Sequence, residues 1–221
     1  MAWALGLYVV TRGGLRRVPL LAALAVFAIS FYLMGQALGA LAPEPDQWLA
    51  WLRRTWWGAA LAPAFWLALT LALAIDEGPS GLAGRLSRLF APVTALALAV
   101  AVLLGASSAI GESLLRWGSG GPLPGAAIAS AGRATWHVPR GSLYPAYQVY
   151  ILSCAGAAAL ILARLRRLCA PGTPLHARFS WLLASAILFV LASLYLTIAS
   201  GTYASPSLPG ELLLIAGILI M

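Results

Sequence analysis

The sequence predicts an all-α membrane protein, a seven-helix transmembrane bundle with a short extracellular β-hairpin between its fourth and fifth helices. Three observations carry that prediction. The chain has 221 residues, of which 62% are hydrophobic and 9% charged, with a mean hydropathy of +0.89. A soluble domain carries roughly 25% charged residues, so this surface belongs in lipid. Apolar runs recur along the whole chain, and the arginines gather in alternate loops.

The runs divide the chain into seven segments: about 2–11, 18–41, 55–75, 89–110, 144–163, 179–200 and 208–221. Hydrocarbon about 30 Å thick needs about 20 helical residues. The five inner segments reach that length and the two terminal ones do not, so the first and last helices read as truncated. The amphipathic stretch DQWLAWLRR, residues 46–54, leads into the third segment. The whole of residues 1–221 reads as a single transmembrane domain.

All 14 basic residues are arginines, against 6 acids, giving a net charge of +8. Arg12, Arg16, Arg17, Arg85, Arg88, Arg164, Arg166, Arg167 and Arg178 follow segments one, three and five. Arg53, Arg54, Arg116, Arg133 and Arg140 lie on the other side. Nine against five, in shorter loops, places the first set in the cytoplasm, with the N-terminus outside and the C-terminus inside. The positive charge suits anionic headgroups. With no basic run interleaved with exposed aromatics, nucleic acid is not an expected partner.

The inner-end and outer-end polar residues supply the candidate sites. Glu112 and Arg116 stand four apart in AIGESLLRW, a spacing that puts acid and base on one helical face. Glu112 reads either as a ligand or proton site or as half of an interfacial ion pair. Arg53 and Arg54 stand among Trp51, Trp56 and Trp57, where they can stack on indoles or snorkel to headgroups. Asp76 and Glu77 precede the turn residues Gly78, Pro79, Ser80 and Gly81, and read as solvated loop. Pro63 inside segment three removes a backbone hydrogen bond and is expected to kink that helix.

His137 and His176 are the two histidines, and the topology puts them on opposite sides of the membrane. A zinc site needs three or four ligands and a haem clamp needs histidines within spans, so no metal and no cofactor is expected. GxSxG, HExxH, Walker A and GxGxxG patterns are absent from the sequence, and the expectation is a non-enzyme. The longest non-membrane stretch, residues 118–143, holds two short runs around Ala131, Gly132 and Arg133, and reads as a hairpin over about 126–141. Tyr144, Tyr147 and Tyr150 then begin the fifth span, and read as interface residues.

Three stretches carry a family resemblance: RGSLYPAYQVYIL (140–152), ILARLRRLCAPGTPLHARFSWLLASAIL (161–188) and APAFWLALTLAL (62–73). In pattern and order the chain resembles the N-terminal seven-transmembrane region of bacterial membrane histidine kinases. The resemblance implies an input module for signal transduction in a two-component system, whose output follows the last helix. It carries over no catalytic residue. This sequence ends at Met221 without ATP-binding motifs, which implies a truncated sensor module or a stand-alone relative.

The expected function is therefore membrane-embedded sensing of a ligand or of membrane state on the extracellular half. The candidate contacts are Trp56, Trp57, Glu112, Trp136, His137, Tyr144 and Tyr203. The expected partners are membrane lipids and a cytoplasmic output domain or partner subunit, with a possible homodimer. A non-catalytic structural subunit of a larger membrane complex is the alternative. A transporter fits less well, because the spans offer little charge to line a path and no inverted repeat is visible.

Overall fold

The computed structural model describes residues 16–41, 45–111, 113–115, 121–122, 136–137 and 140–199. These form five long helices: α1 Arg17–Ala40, α2 Pro45–Glu77, α3 Ser80–Ile110, α4 Tyr144–Leu168 and α5 Pro174–Ala199. All five are long and apolar enough to cross a membrane. The segments expected at 2–11 and 208–221 lie outside the described residues.

The inner five segments match, but two helices begin well before their apolar cores. DQWLAWLRR is no separate lead-in, because α2 runs unbroken from Pro45 to Glu77 over 33 residues. At about 1.5 Å per residue that is about 50 Å, more than the hydrocarbon layer, so charged residues ride on its ends without breaking the helix. α3 likewise starts at Ser80 rather than near 89, since nothing in GRLSRLF breaks a helix.

Prolines mark the helix starts. Pro79 caps α3, and Pro145 occupies the first turn of α4. Pro174 opens α5, with the Thr173 hydroxyl accepting the His176 backbone N–H at 3.2 Å as a side-chain cap. The short α4–α5 turn passes through Gly172 at φ +81°, a conformation that glycine adopts without steric cost.

α2 is the hub. It packs against α1, α3 and α4, whereas α5 leans mainly on α4. The α1–α2 seam is built on small residues. A Cβ on Gly58 would run into the Ala28 carbonyl and the Tyr32 backbone, and one on Gly35 into the Thr55 side chain. Lipid tails are as apolar as leucine, so close backbone approach and dispersion replace the hydrophobic effect as the packing force. Buried Thr55 and Thr70 return their hydroxyls to their own helix, on the Trp51 carbonyl at 2.8 Å and the Trp66 carbonyl at 2.9 Å.

Residues 126–135 and 138–139 of the expected 126–141 hairpin lie outside the described residues, and the pairing that is described reaches back to Gly121. Two-residue strands, β1 Gly121–Pro122 and β2 Trp136–His137, pair antiparallel with Gly121 opposite His137. A tight turn at 131–133 would instead have paired His137 near residue 127. A glycine shows where a chain can turn, but register is set by the backbone groups that pair. Closer to the helices the same two segments meet again. Leu115 bridges Arg140, the Gly141 N–H donates to the Leu114 carbonyl at 2.9 Å, and the Leu143 N–H donates to the Ser113 carbonyl at 2.8 Å. α3 and α4 touch only sparsely along their lengths, so this ladder is what holds the end of one beside the start of the other.

Candidate functional site

Pro63 lies in the middle of α2 and has no N–H to give to the carbonyl four residues back, that of Ala59. A bare carbonyl in a bilayer interior costs several kcal/mol in principle, and helices tolerate proline there only when a neighbour makes good the loss. The neighbour is α4. The Tyr147 hydroxyl donates to the Ala59 carbonyl at 3.2 Å, and the Tyr150 hydroxyl donates to the adjacent Ala60 carbonyl at 2.9 Å.

These two tyrosines belong to a ring cluster shared by three helices. Tyr32 of α1 meets Trp56 of α2 edge-on at 5.8 Å, and Trp56 meets Tyr147 at 5.7 Å. Tyr147 lies 6.0 Å from Tyr144 and 6.5 Å from Tyr150. Such pairs contribute roughly 0.5–1.5 kcal/mol each beyond their burial. Tyr144, Tyr147, Gln148 and Trp56 are all buried, and the Gln36 amide donates to the Tyr32 hydroxyl at 2.8 Å. The Arg140 guanidinium sits 4.5 Å from the centre of the Tyr144 ring, closing the cluster with a cation–π contact.

The spacing explains the arrangement. Tyr144, Tyr147, Ile151, Cys154, Ala158, Leu162 and Leu165 follow at three or four residues and form the buried stripe of α4. The tyrosines are the part of that stripe nearest the α3–α4 ladder, so their polar tips reach α2 while their rings fill the seam.

Above the cage, Leu114 and Leu115 are fully buried. They are the apolar plug at this end of the bundle among the described residues. On the other flank of α2, Trp57 lies over Gly105 of α3, and the Arg53 guanidinium donates to the Ala109 carbonyl in the last turn of α3. Arg53 thus caps a neighbouring helix, while Arg54 stacks near Trp51 at 5.8 Å.

Of the expected site residues, Trp56 and Tyr144 come together in the cage, and Trp57 lies on the opposite flank of α2. Trp136 and His137 form β2, and their side chains lie outside the description. Glu112 and Tyr203 are outside the described residues. α3 ends at Ile110 with an extended Gly111 cap, and Ser113–Leu115 are not helical; the Glu112–Arg116 pair itself lies outside the described residues. Glu77 is not simply solvated: it pairs with Arg178 at 2.5 Å and ties the end of α2 to the start of α5.

Sequence reasoning missed Tyr32, Gln36, Tyr147, Gln148, Tyr150 and Arg140 as members of one cluster. It treated the tyrosines as headgroup residues. The signal that could have found them was the 144–147–151–154 stripe together with a proline whose freed carbonyl needed a donor.

The cage offers aromatic faces, hydroxyls, amides and one guanidinium. Among the described residues no group of three or more His, Cys, Asp or Glu converges. Such a surface can stack, hydrogen-bond and rearrange. No curated protein and no solved structure matches the chain. The model of one family, described as the N-terminal 7TM region of histidine kinase, matches residues 1–220, and the chain belongs to that family.

Proposed function

We propose that this chain is the membrane-embedded input module of a bacterial histidine-kinase-type signalling protein, and that the aromatic cage reads a ligand or the state of the membrane. Family membership supports the module, and the arginine asymmetry supports cytoplasmic placement of the loop between α4 and α5. Two further spans, about 2–11 and 208–221, complete seven, with the N-terminus outside, the C-terminus inside, and the output domain beyond the last span.

The observation that carries the reading is the pair of tyrosine hydroxyls on the Ala59 and Ala60 carbonyls beside Pro63. A helix that lacks one hydrogen bond at a proline, and whose freed carbonyl is held by a side chain from a neighbour, has two arrangements, bonded and released. An input that favours one of them shifts the population by its differential affinity. Trp56 and Tyr144 are the proposed first contacts. Trp57, Glu112, Trp136, His137 and Tyr203 complete the proposed outer-half surface.

The test is autophosphorylation of the protein that carries this region, reconstituted in liposomes with its own output. Tyr147→Phe and Pro63→Ala are each expected to change basal phosphorylation several-fold. If both leave it unchanged, the cage is packing and not a switch. An absence of any kinase or cyclase output joined to the chain would instead favour a structural membrane subunit.

A further inference from the structure

At the opposite end of the bundle, a cavity of about 380 Å³ lies between α4 and α5, lined by Ala163, Arg166, Arg167, His176 and Leu183. Ala163, Arg166 and Arg167 are spaced i, i+3 and i+4, so they share one face of α4. His176 and Leu183 stand seven apart and share one face of α5. Arg166 and Arg167 lie in the last turn of α4, and His176 in the first turn of α5. Ala163 is about one turn deeper, and Leu183 about two turns, or about 10 Å. The cleft is therefore basic at its mouth and apolar toward the middle of the bilayer.

The same faces continue outward as exposed apolar surface. Leu160, one turn beyond Ala163, is 74% exposed, and Ile187, one turn beyond Leu183, is 46% exposed. Local carboxylates do not neutralise the mouth. Glu77 is committed to Arg178, Asp76 is exposed beside it, and among the described residues Arg164, Arg166 and Arg167 form no ion pair. Basic residues at a helix C-terminus are favourable in themselves. That accounts for Arg166 and Arg167, but not for a cavity between them and a histidine on the facing helix.

We infer that this cleft binds an anionic phospholipid, with its phosphate held by Arg166, Arg167 and His176 and its acyl chain lying along Ala163 and Leu183. Guanidinium forks match phosphate oxygens in geometry as well as charge, and basic pockets between membrane helices are suited to such headgroups. Inorganic phosphate would satisfy only the mouth and leave the apolar wall unused. The inference does not depend on the cage being a sensor.

Native mass spectrometry of the full chain, released from bilayers of mixed phosphatidylglycerol and phosphatidylcholine, tests it. The chain is expected to retain phosphatidylglycerol in preference to phosphatidylcholine, and the double variant R166Q/R167Q to lose that retention by about tenfold. R85Q/R88Q removes the same charge from exposed positions on α3 and is expected to keep it. Ala163→Trp keeps every charge but fills the apolar wall, and is expected to lose the lipid as well. That arm decides the matter if the double variant fails to fold. Equal loss in both arginine pairs, full retention in Ala163→Trp, or displacement of the lipid by millimolar inorganic phosphate would each overturn the inference, the last in favour of a free-anion site.

Discussion

α2 and α3 are close in length, 33 and 31 residues, and α3 is the more apolar of the two. Yet 78% of the apolar window of α2 is buried within the chain, against 22% for α3. In water the greasier helix would be the inner one. In a bilayer the hydrophobic effect no longer sorts inside from outside, because lipid accepts apolar side chains as readily as protein does. What draws α2 to the centre is what lipid cannot supply: notches for close packing at Gly35 and Gly58, and donors for the carbonyls around Pro63.

The contrast breaks most visibly with matched leucines. Leu67 of α2 is 5% exposed and Leu103 of α3 is 70% exposed. Leu67→Ala is expected to cost about 2–5 kcal/mol, as buried truncations do, and Leu103→Ala to stay within about 0.5 kcal/mol. Reversible unfolding in mixed detergent micelles reads both; equal losses would mean that burial within the chain is not what stabilises α2.

Enlarging the seam comes next. Gly58→Leu drives a side chain into the α1 backbone and is expected to cost about 1–3 kcal/mol, whereas Ala99→Leu, on the exposed face of α3, changes stability little. The same unfolding measurement distinguishes them.

A double-mutant cycle sharpens the role of the proline. Tyr147→Phe leaves the Ala59 carbonyl bare and is expected to cost about 1–3 kcal/mol. Pro63→Ala restores an N–H to that carbonyl, so the tyrosine substitution should cost clearly less in its presence. Additive effects would show that the hydroxyl does not serve the proline.

The smallest expected effect is at the Glu77–Arg178 pair, whose side chains are 24% and 49% exposed. Glu77→Gln is expected to cost at most about 1 kcal/mol, and the difference should shrink further in high salt. A salt-independent loss would point to the second Glu77 carboxylate oxygen, Oε2, which is buried, rather than to the ion pair.

Much of this fold was legible in the sequence. The five inner spans follow from run length, and the arginine loops fall at one end of the bundle, where Arg17 lies over Phe90 and Glu77 meets Arg178. The helix starts at Pro45 and Ser80 were not, because hydropathy marks where lipid begins and not where helical hydrogen bonding begins. The cage was half legible. Trp56 and Tyr144 stood out as aromatics, but Tyr147 meets its carbonyl partner 88 positions away, and only the folded order of α2 and α4 brings them together. Leu114 and Leu115 fall within AIGESLLRW, whose Glu112–Arg116 spacing reads as helical, and nothing in their composition distinguishes a plug from one more apolar turn.

The seam between α1 and α2 has a mechanical consequence. Gly39 seats Trp48, Gly35 seats Thr55, and Gly58 seats the backbone at Ala28 and Tyr32. These three notches act as teeth at different heights along the same pair of rods. Sliding α1 by a single turn would set side chains against backbone at every tooth at once, so the two helices travel as one lever. Any displacement within the bundle must then be absorbed on the far side of α2, along α3 and α4, and a covalent tether between α1 and α2 should leave that motion untouched.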